Sequence, residues 1–509
     1  MNPKILLIHP PLVKPSEPPA GIVKLSECLT AHGVYHDILD ANLEGILSLT
    51  ATTVKTQQPV GRWDARACRN QDVNLAALRD PKTYRSFSRY ARAVSDFNHI
   101  LQLAGKSCGV HLSLSDYVDK RLSPLKTDDL FEAASHPGRN PFYPYFSKRI
   151  GDALSQNPEY IGFSLNFLSQ AICAMAMIGF IKQCHPRQKI ILGGSLTTSW
   201  MALAGGKNLF AGLVDHLVAG PGEKTLLELL RAGENKDGFS CTGLRPLDRL
   251  SYLSPGRIEP YSAASGCWWR RCSFCPETAE ANPYLPQPAG QVIHDLHRLT
   301  HSVSPALFHL LDSAIAPSLL SALIVNPPGV AWYGFARVTP HLADEDFCRQ
   351  LKAGGCVMLK LGLESGDQTV LDRLHKGIDL QVASKALRSL KKSGISVYGY
   401  FLFGTPPEDE DAAKRTLDFV CRHAGSLSFL NLSLFNLPVN SPEARTLDTE
   451  DFSDGDLSLY QNFRHPACWN RPRVREFLEK KFKKHPLIQP IVRRNPPFFT
   501  SNHAPFFNL

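Results

Sequence analysis

Residues 5–8 read Ile-Leu-Leu-Ile and stop at His9-Pro10-Pro11, and an apolar run of that length closed by proline predicts a buried strand. The next stretch, "GIVKLSECLTAHG", spaces its apolar positions as a helix does, and "HDILDAN" predicts a second strand, so the chain opens on a βαβ unit. The rhythm returns from about residue 155, as strand "YIGFSL", helix "SQAICAMAMIGFIKQC", strand "KIILGGS", then "LVDHLVAGPGE" and helix "KTLLELLRAG". Strands apolar at nearly every position must be covered on both faces, which predicts an α/β fold with a doubly wound, Rossmann-like parallel sheet over residues 1–250. Residues 45–150 interrupt the rhythm. They are rich in Arg, Asn, Asp and Ser, carry the helical piece "YRSFSRYARAVSDFNHILQL", and read as an insertion that either packs on the sheet or covers a cavity.

A second alternation fills residues 251–440. Its strand candidates are "IEPYSAAS", "ALFHLLD", "VAWYGFARV", "VMLKLGLES", "ISVYGYFLFG" and "LSFLNLSLF", with helices such as "AGQVIHDLHRLTH", "DEDFCRQLKAGG" and "QVASKALRSLKKSG" between them. Six strands are fewer than the eight of a closed βα barrel, so a partial barrel with an open side is expected. Residues 441–509 form a basic, Pro-rich C-terminal extension in which only "RVREFLEKKFKK" reads as helix; it either caps the barrel or meets an acidic partner.

Composition narrows this picture modestly. With 43% apolar residues over 509 positions, the chain can bury two or more cores. No stretch reaches the roughly 20 apolar residues of a membrane span, and the run at residues 5–8 is too short for a secretory signal, so no membrane span and a cytoplasmic location are expected. A net charge of +9 on a chain this long fits ordinary solvation as well as an anionic partner.

The thirteen cysteines are odd in number and mostly scattered, which argues for reduced thiols rather than a disulfide framework. Three of them, Cys267, Cys272 and Cys275, crowd into "CWWRRCSFC". A prescribed three-cysteine spacing arises by chance in a chain of this composition roughly 0.01 times, so the cluster is a signal. Zinc would need a fourth ligand from elsewhere, since no second C-x-x-C is present. An iron–sulfur cluster held by three thiolates leaves one iron open to a substrate, and the loop lies after the first strand of the second alternation, where βα sites are built.

With the downstream motifs added, the chain resembles the radical S-adenosylmethionine (SAM) enzymes, in the class B methyltransferase-like branch whose N-terminal domain resembles a cobalamin-binding fold. The resemblance covers residues 1–45 and 155–440 in order. It implies a [4Fe-4S] cluster on Cys267, Cys272 and Cys275, with SAM chelating the fourth iron. It also implies a low-potential electron donor such as flavodoxin or ferredoxin, and reductive cleavage of SAM to a 5′-deoxyadenosyl radical. "CWWRRC" has four residues between its thiols where the common pattern has three, an expansion a loop can absorb.

The resemblance further implies Phe274 near adenine, Asp312 in "LLDSAIAP" at the methionine amine, Arg337 in "GFARVTP" at the methionine carboxylate, Glu364 and Ser365 in "LGLESGDQTVLDRLHKG" at the ribose, and Gly404 in "YGYFLFGTPPED" at adenine. Taken one by one, Asp312 also reads as a helix N-cap, Arg337 as a surface ion pair, Glu364 as a structural carboxylate and Gly404 as a turn residue. Tyr333 and Tyr400 either face the cavity or pack in the core.

In the N-terminal half the likeness to cobalamin-binding domains rests on "GFSLNFLSQ", "LGGSLTTS" and "GPGEKT", and points to Ser164, Gly193 and Gly194 as cobalamin contacts. The D-x-H-x-x-G signature is missing; His9 stands alone and reads as structural. With both cofactors the resemblance implies methyl transfer to an unactivated carbon of an unidentified substrate, a small molecule or peptide rather than nucleic acid. The alternatives are radical rearrangement or cyclisation without cobalamin, methylthio transfer to RNA or protein, and a non-catalytic corrinoid or redox sensor.

Overall fold

The computed structural model describes residues 4–56, 58, 60–232, 246–450 and 454–509. The chain forms two compact units, Met1–Ser254 with Ser453–Leu459, and Pro255–Phe452 with Tyr460–Leu509.

The first unit is built on five parallel strands, β1 (Ile5–His9), β2 (His36–Asp40), β3 (Tyr160–Ser164), β4 (Lys189–Gly193) and β5 (His216–Leu217), in the order β2-β1-β3-β4-β5. β1 and β3 are buried along their whole length, the condition that continuous apolar runs satisfy. This strand order reverses direction between β1 and β3, and ligands of such sheets bind beyond the carboxyl ends of the strands at that switch point. Helix Leu168–Cys184 is the "AICAMAMIGFI" run; it is buried around most of its circumference, and no helix among the described residues is long and apolar enough to cross a membrane.

The insertion folds as a helical layer. Its longest helix, Phe87–Lys106, takes in all but the first three residues of the "YRSFSRYARAVSDFNHILQL" piece and buries Phe97, Ile100 and Leu101 completely. Helix Thr127–Ser135 packs on Leu168–Cys184, where Gly179 is required because a Cβ would stand 1.9 Å from the Ala134 carbonyl oxygen. Residues 454–459, expected in the C-terminal extension, belong to this unit: Leu457 N–H donates to the Leu125 carbonyl at 2.9 Å, and Thr127 N–H to Asp456 Oδ1 at 2.9 Å.

The second unit holds six parallel strands in sequential order, β6 (Ile258–Tyr261), β7 (Leu307–Leu310), β8 (Trp332–Ala336), β9 (Cys356–Glu364), β10 (Ser396–Phe403) and β11 (Phe429–Leu434), the partial barrel expected from the sequence. Alternate residues serve two cores. Leu359, Leu361, Val397, Phe403 and Leu430 pack against the helices, while Tyr333, Met358, Tyr398 and Phe429 form a second cluster on the opposite face with Ala504, Phe506 and Phe507.

The C-terminal extension is therefore part of this unit's core at two places. Besides Ala504 on the inner face, Val474, Phe477, Phe482, Ile488 and Ile491 join the helix-facing core, with Phe482 and Phe403 in edge contact at 5.3 Å. It is also more helical than expected: after Arg471–Phe477 come a π-helical turn, Leu478–Phe482, and short helices at Gln489–Arg493, Thr500–His503 and Ala504–Phe507. Segments this short contain too few turns to show a helical period.

Candidate active site

The sequence-predicted residues of the second unit gather at the carboxyl ends of its strands. Cys267, Cys272 and Cys275 lie on the loop after β6, Asp312 follows β7, Arg337 follows β8, Glu364 ends β9 and Gly404 follows β10. Cys272 is buried and Cys267 and Cys275 half-buried. Burial pushes the thiols of Cys272 and Cys275 up, the latter to about 11, although Cys275 also receives the backbone N–H groups of Glu277 and Thr278. All described cysteines are free thiols.

Arg337 is not a surface ion-pair residue. It is 6% exposed, its Nη1 lies 3.8 Å from Cys272 Sγ, its Nη2 donates to the Lys376 carbonyl, and the guanidinium lies 4.2 Å from the centre of the Trp269 ring. The charge is thus buried beside the thiols, against the cost of burial, which holds its pKa below the usual guanidinium range. Asp312 does not cap a helix: its Oδ2 accepts the Ala263 N–H at 3.2 Å, joining the end of β7 to the start of the cysteine loop, and burial raises its carboxyl.

Glu364 has φ +61° at a bulge in β9, and its Oε1 accepts Lys376 Nζ at 2.8 Å, both side chains being nearly buried. Gly362, two residues earlier, leaves room for this pair, since a Cβ there would meet Glu364 Oε1 at 2.7 Å and Lys376 Nζ at 2.9 Å. Ser365 is fully buried, and its hydroxyl pairs with Thr416 Oγ1 at 3.1 Å and accepts Asp367 N–H at 3.1 Å, so it is engaged by the chain itself. Phe274 packs against Val370, Leu374 and Ala412, with Lys376 Nζ 5.5 Å from its ring centre. Gly404 turns the chain at φ +78° and donates its N–H to Glu408, a buried carboxyl that sequence reasoning did not single out although it stands in "GTPPED". Also missed were Trp269, whose indole partner His375 lies 106 residues along the chain, and Lys376, which stands in the same motif as its partner Glu364.

Tyr333 and Tyr400 pack rather than open into a cavity. Tyr333 stacks on His309 at 4.4 Å and Tyr400 meets Phe335 edge-on at 4.9 Å. Beside them Lys360 Nζ is 2.8 Å from His309 Nε2, inside a shell of aromatic rings.

In the first unit, Ser164 and Gly193 end adjacent strands. Ser164 Oγ accepts Asn166 Nδ2 at 3.0 Å, and Asn166 Oδ1 accepts Ser195 N–H at 3.1 Å. Gly194 is fixed by the fold, with φ +109° and a position where a Cβ would stand 2.3 Å from the Leu165 carbonyl oxygen. Gly193 is not: a Cβ there would make only ordinary 3.6 Å contacts with Val218. His9 is buried at the end of β1 with Nδ1 unpartnered, and burial lowers its pKa.

Residues 319–420, which carry Arg337, Glu364, Ser365 and Gly404, match the radical SAM superfamily. The chain resembles particular members only in part. An uncharacterized methyltransferase of Pyrococcus horikoshii is 30% identical over 155 residues, 29% of this chain and 33% of that protein. The anaerobic magnesium-protoporphyrin IX monomethyl ester cyclase of Rubrivivax gelatinosus is 26% identical over 246 residues, 40% of this chain and 44% of that protein. The cytidylyl-2-hydroxyethylphosphonate methyltransferase of Streptomyces wedmorensis is 24% identical over 250 residues, 45% and 47%. The matches span less than half the length of each of these relatives. The structure of the radical SAM methyltransferase TsrM from Kitasatospora setae, with cobalamin and a [4Fe-4S] cluster bound, matches at a TM-score of 0.53 and 16% identity over 92% of this chain and 85% of that one. That likeness gives the fold: a doubly wound α/β unit followed by a partial βα barrel.

Proposed function

We propose that this protein is a radical SAM enzyme that transfers a methyl group from cobalamin to an unactivated carbon. The observation that carries the reading is the placement of Arg337, buried with no carboxylate partner among the described residues and 3.8 Å from Cys272 Sγ, on a strand end beside a loop of three thiols. A buried cation in that position suits an anionic cluster of thiolates, sulfide and iron, and the soft thiol donors of the loop are the ligands such a cluster takes. When bound, the cluster and SAM supply a 5′-deoxyadenosyl radical that removes a substrate hydrogen, and cobalamin supplies the methyl group.

The chain's own residues would do the rest. Cys267, Cys272 and Cys275 would hold three irons. Asp312, nearly buried at the end of β7, would accept from the methionine amine, and the Glu364–Lys376 pair would hold one carboxylate oxygen still while leaving Oε2 for a ribose hydroxyl. Phe274 and the turn at Gly404 would bound the adenine. Ser164, Gly193 and Gly194 would line the corrin edge of the first unit, where the switch point of the sheet favours a ligand. A low-potential donor protein would deliver the electrons, and the substrate is a small molecule or peptide.

A second reading, radical rearrangement or cyclisation without cobalamin, is supported by the likeness to the Rubrivivax gelatinosus cyclase over 40% of this chain.

Anaerobic reconstitution with iron, sulfide and hydroxocobalamin, followed by desalting and quantification, tests the reading. Four irons and one corrinoid per chain, the iron lost in the Cys267→Ala, Cys272→Ala, Cys275→Ala triple variant, are expected. Iron without corrinoid would leave only the second reading, and iron retained by the triple variant would refute both.

A further inference from the structure

The four residues between Cys267 and Cys272 are too many for the common spacing, and the structure shows where the excess goes. Trp269 is half-buried against the turn at residues 374–377, while Arg270, at φ +52°, and Arg271 stay exposed. The indole lies in the space that a side chain at position 377 would take: a Cβ on Gly377 would stand 2.1 Å from Trp269 Cζ2 and 2.5 Å from Cη2, and the backbone there is at φ +64°. Gly377 is thus required twice over, by conformation and by the ring above it.

Three successive carbonyls of the same turn face the cysteine loop and its arginine. The Leu374 carbonyl accepts Ser273 N–H at 3.1 Å, the His375 carbonyl accepts Trp269 Nε1 at 3.0 Å, and the Lys376 carbonyl accepts Arg337 Nη2. Trp269 is further enclosed by two guanidiniums, Arg337 at 4.2 Å and Arg271 at 5.2 Å from its ring centre. The loop is therefore fastened on both sides of Cys272, at Trp269 and at Ser273.

We propose that Trp269 is a positioning residue for the iron–sulfur cluster: docked on the Leu374–Gly377 turn, it takes up the extra residue of "CWWRRC" and sets the separation of Cys267 from Cys272. The inference rests on the cluster reading above. Without the anchor, the four-residue span could adopt many conformations, and the two thiols would lose the fixed separation a rigid cluster demands.

The test is anaerobic reconstitution of the full chain carrying Trp269→Ala, Trp269→Phe, Gly377→Ala or the Trp269→Ala/Gly377→Ala pair, read by iron and sulfide content, by the electron paramagnetic resonance of the reduced cluster and by its midpoint potential. Trp269→Ala and Gly377→Ala are expected to retain less than half the wild-type iron and to shift the resonance and the potential. Trp269→Phe, which keeps a ring but loses the N–H, should retain most of the iron. The contact part of the two single defects should not add in the pair, because the three atoms nearest a Cβ at 377 all belong to the indole; only the backbone cost of a side chain at φ +64° remains. Circular dichroism and melting of the apo proteins identify any variant that fails to fold, in which case Trp269→Phe and the pair carry the comparison. Wild-type iron, resonance and potential in folded Trp269→Ala and Gly377→Ala would overturn the inference while leaving the cluster reading intact. A wild-type chain that binds no more iron than the triple cysteine variant would overturn the cluster reading, and this inference with it.

Discussion

Glu408 should make the second unit lose stability as pH rises through the neutral range. It is 1% exposed, its Oε2 accepts the Gly404 N–H and, at 3.1 Å, the Trp469 indole N–H, and its Oε1 has no hydrogen-bond partner. Burial dominates the two donated bonds and raises the carboxyl from 4.5 to about 8, with the like charges of Asp409 and Asp367 adding to the rise. His465, which meets the neighbouring Thr405 carbonyl at 2.9 Å, is itself held below the usual imidazole range by burial and brings no compensating cation near pH 7. The sign follows from which state holds the proton. Below about pH 4.5 both folded and unfolded chains are protonated and nothing is lost. Between 4.5 and about 8 the unfolded chain releases a proton that the folded chain keeps, so stability falls by up to about 1.4 kcal/mol per unit. Allowing for the flattening near 8, the loss between pH 6 and pH 8 comes to about 2 kcal/mol, or roughly 4–8 °C in the melting of a unit of this size. Glu408→Gln keeps an acceptor for both donors and cannot ionise. Its melting temperature should be nearly level across this range, so that its advantage over wild type grows from pH 6 to pH 8, as followed by circular dichroism at matched ionic strength. Parallel pH profiles for the two proteins would refute the reasoning, and a steeper fall for Glu408→Gln would reverse it.

Three further outcomes follow from the packing. Gly194→Ala should cost roughly 2 kcal/mol or more, because the left-handed backbone and the Leu165 carbonyl both oppose a Cβ, whereas Gly193→Ala should melt within a degree or so of wild type. Phe482→Ala, which empties a fully buried site against Phe403, should cost about 3–5 kcal/mol, while Lys481→Ala, which removes an exposed pairing with Glu410, should change the melting little; equal effects would refute the role given to the extension. Lys376→Met should leave the nearly buried Glu364 carboxylate without its cation and destabilise by roughly 3 kcal/mol, and adding Glu364→Gln should recover most of it, as denaturant midpoints would show.

What the sequence revealed and what it withheld divide along a physical line. The strands of both sheets were legible because a parallel strand covered on both faces must be apolar at nearly every position, and the six strands of the second unit match the stretches that pattern marks, β9 beginning one residue earlier at Cys356. The cysteines were legible by spacing, and Asp312, Arg337, Glu364 and Gly404 were singled out through the resemblance of their motifs to the radical SAM enzymes; the structure places all four at the carboxyl ends of strands, the edge to which a βα unit delivers such residues. What those side chains touch was not legible. Ser365 meets Thr416 across 51 residues, and Trp269 meets Gly377 across 108, so neither pairing leaves a periodic trace. The two kinds of legibility come apart most clearly at Gly377 and Gly193: a sequence displays both as glycine, yet one is bare because an indole fills the place of its side chain and the other while its surroundings would admit a methyl group. Neither distinction shows in the sequence, because each depends on which distant atoms the folded chain brings within reach of that Cα.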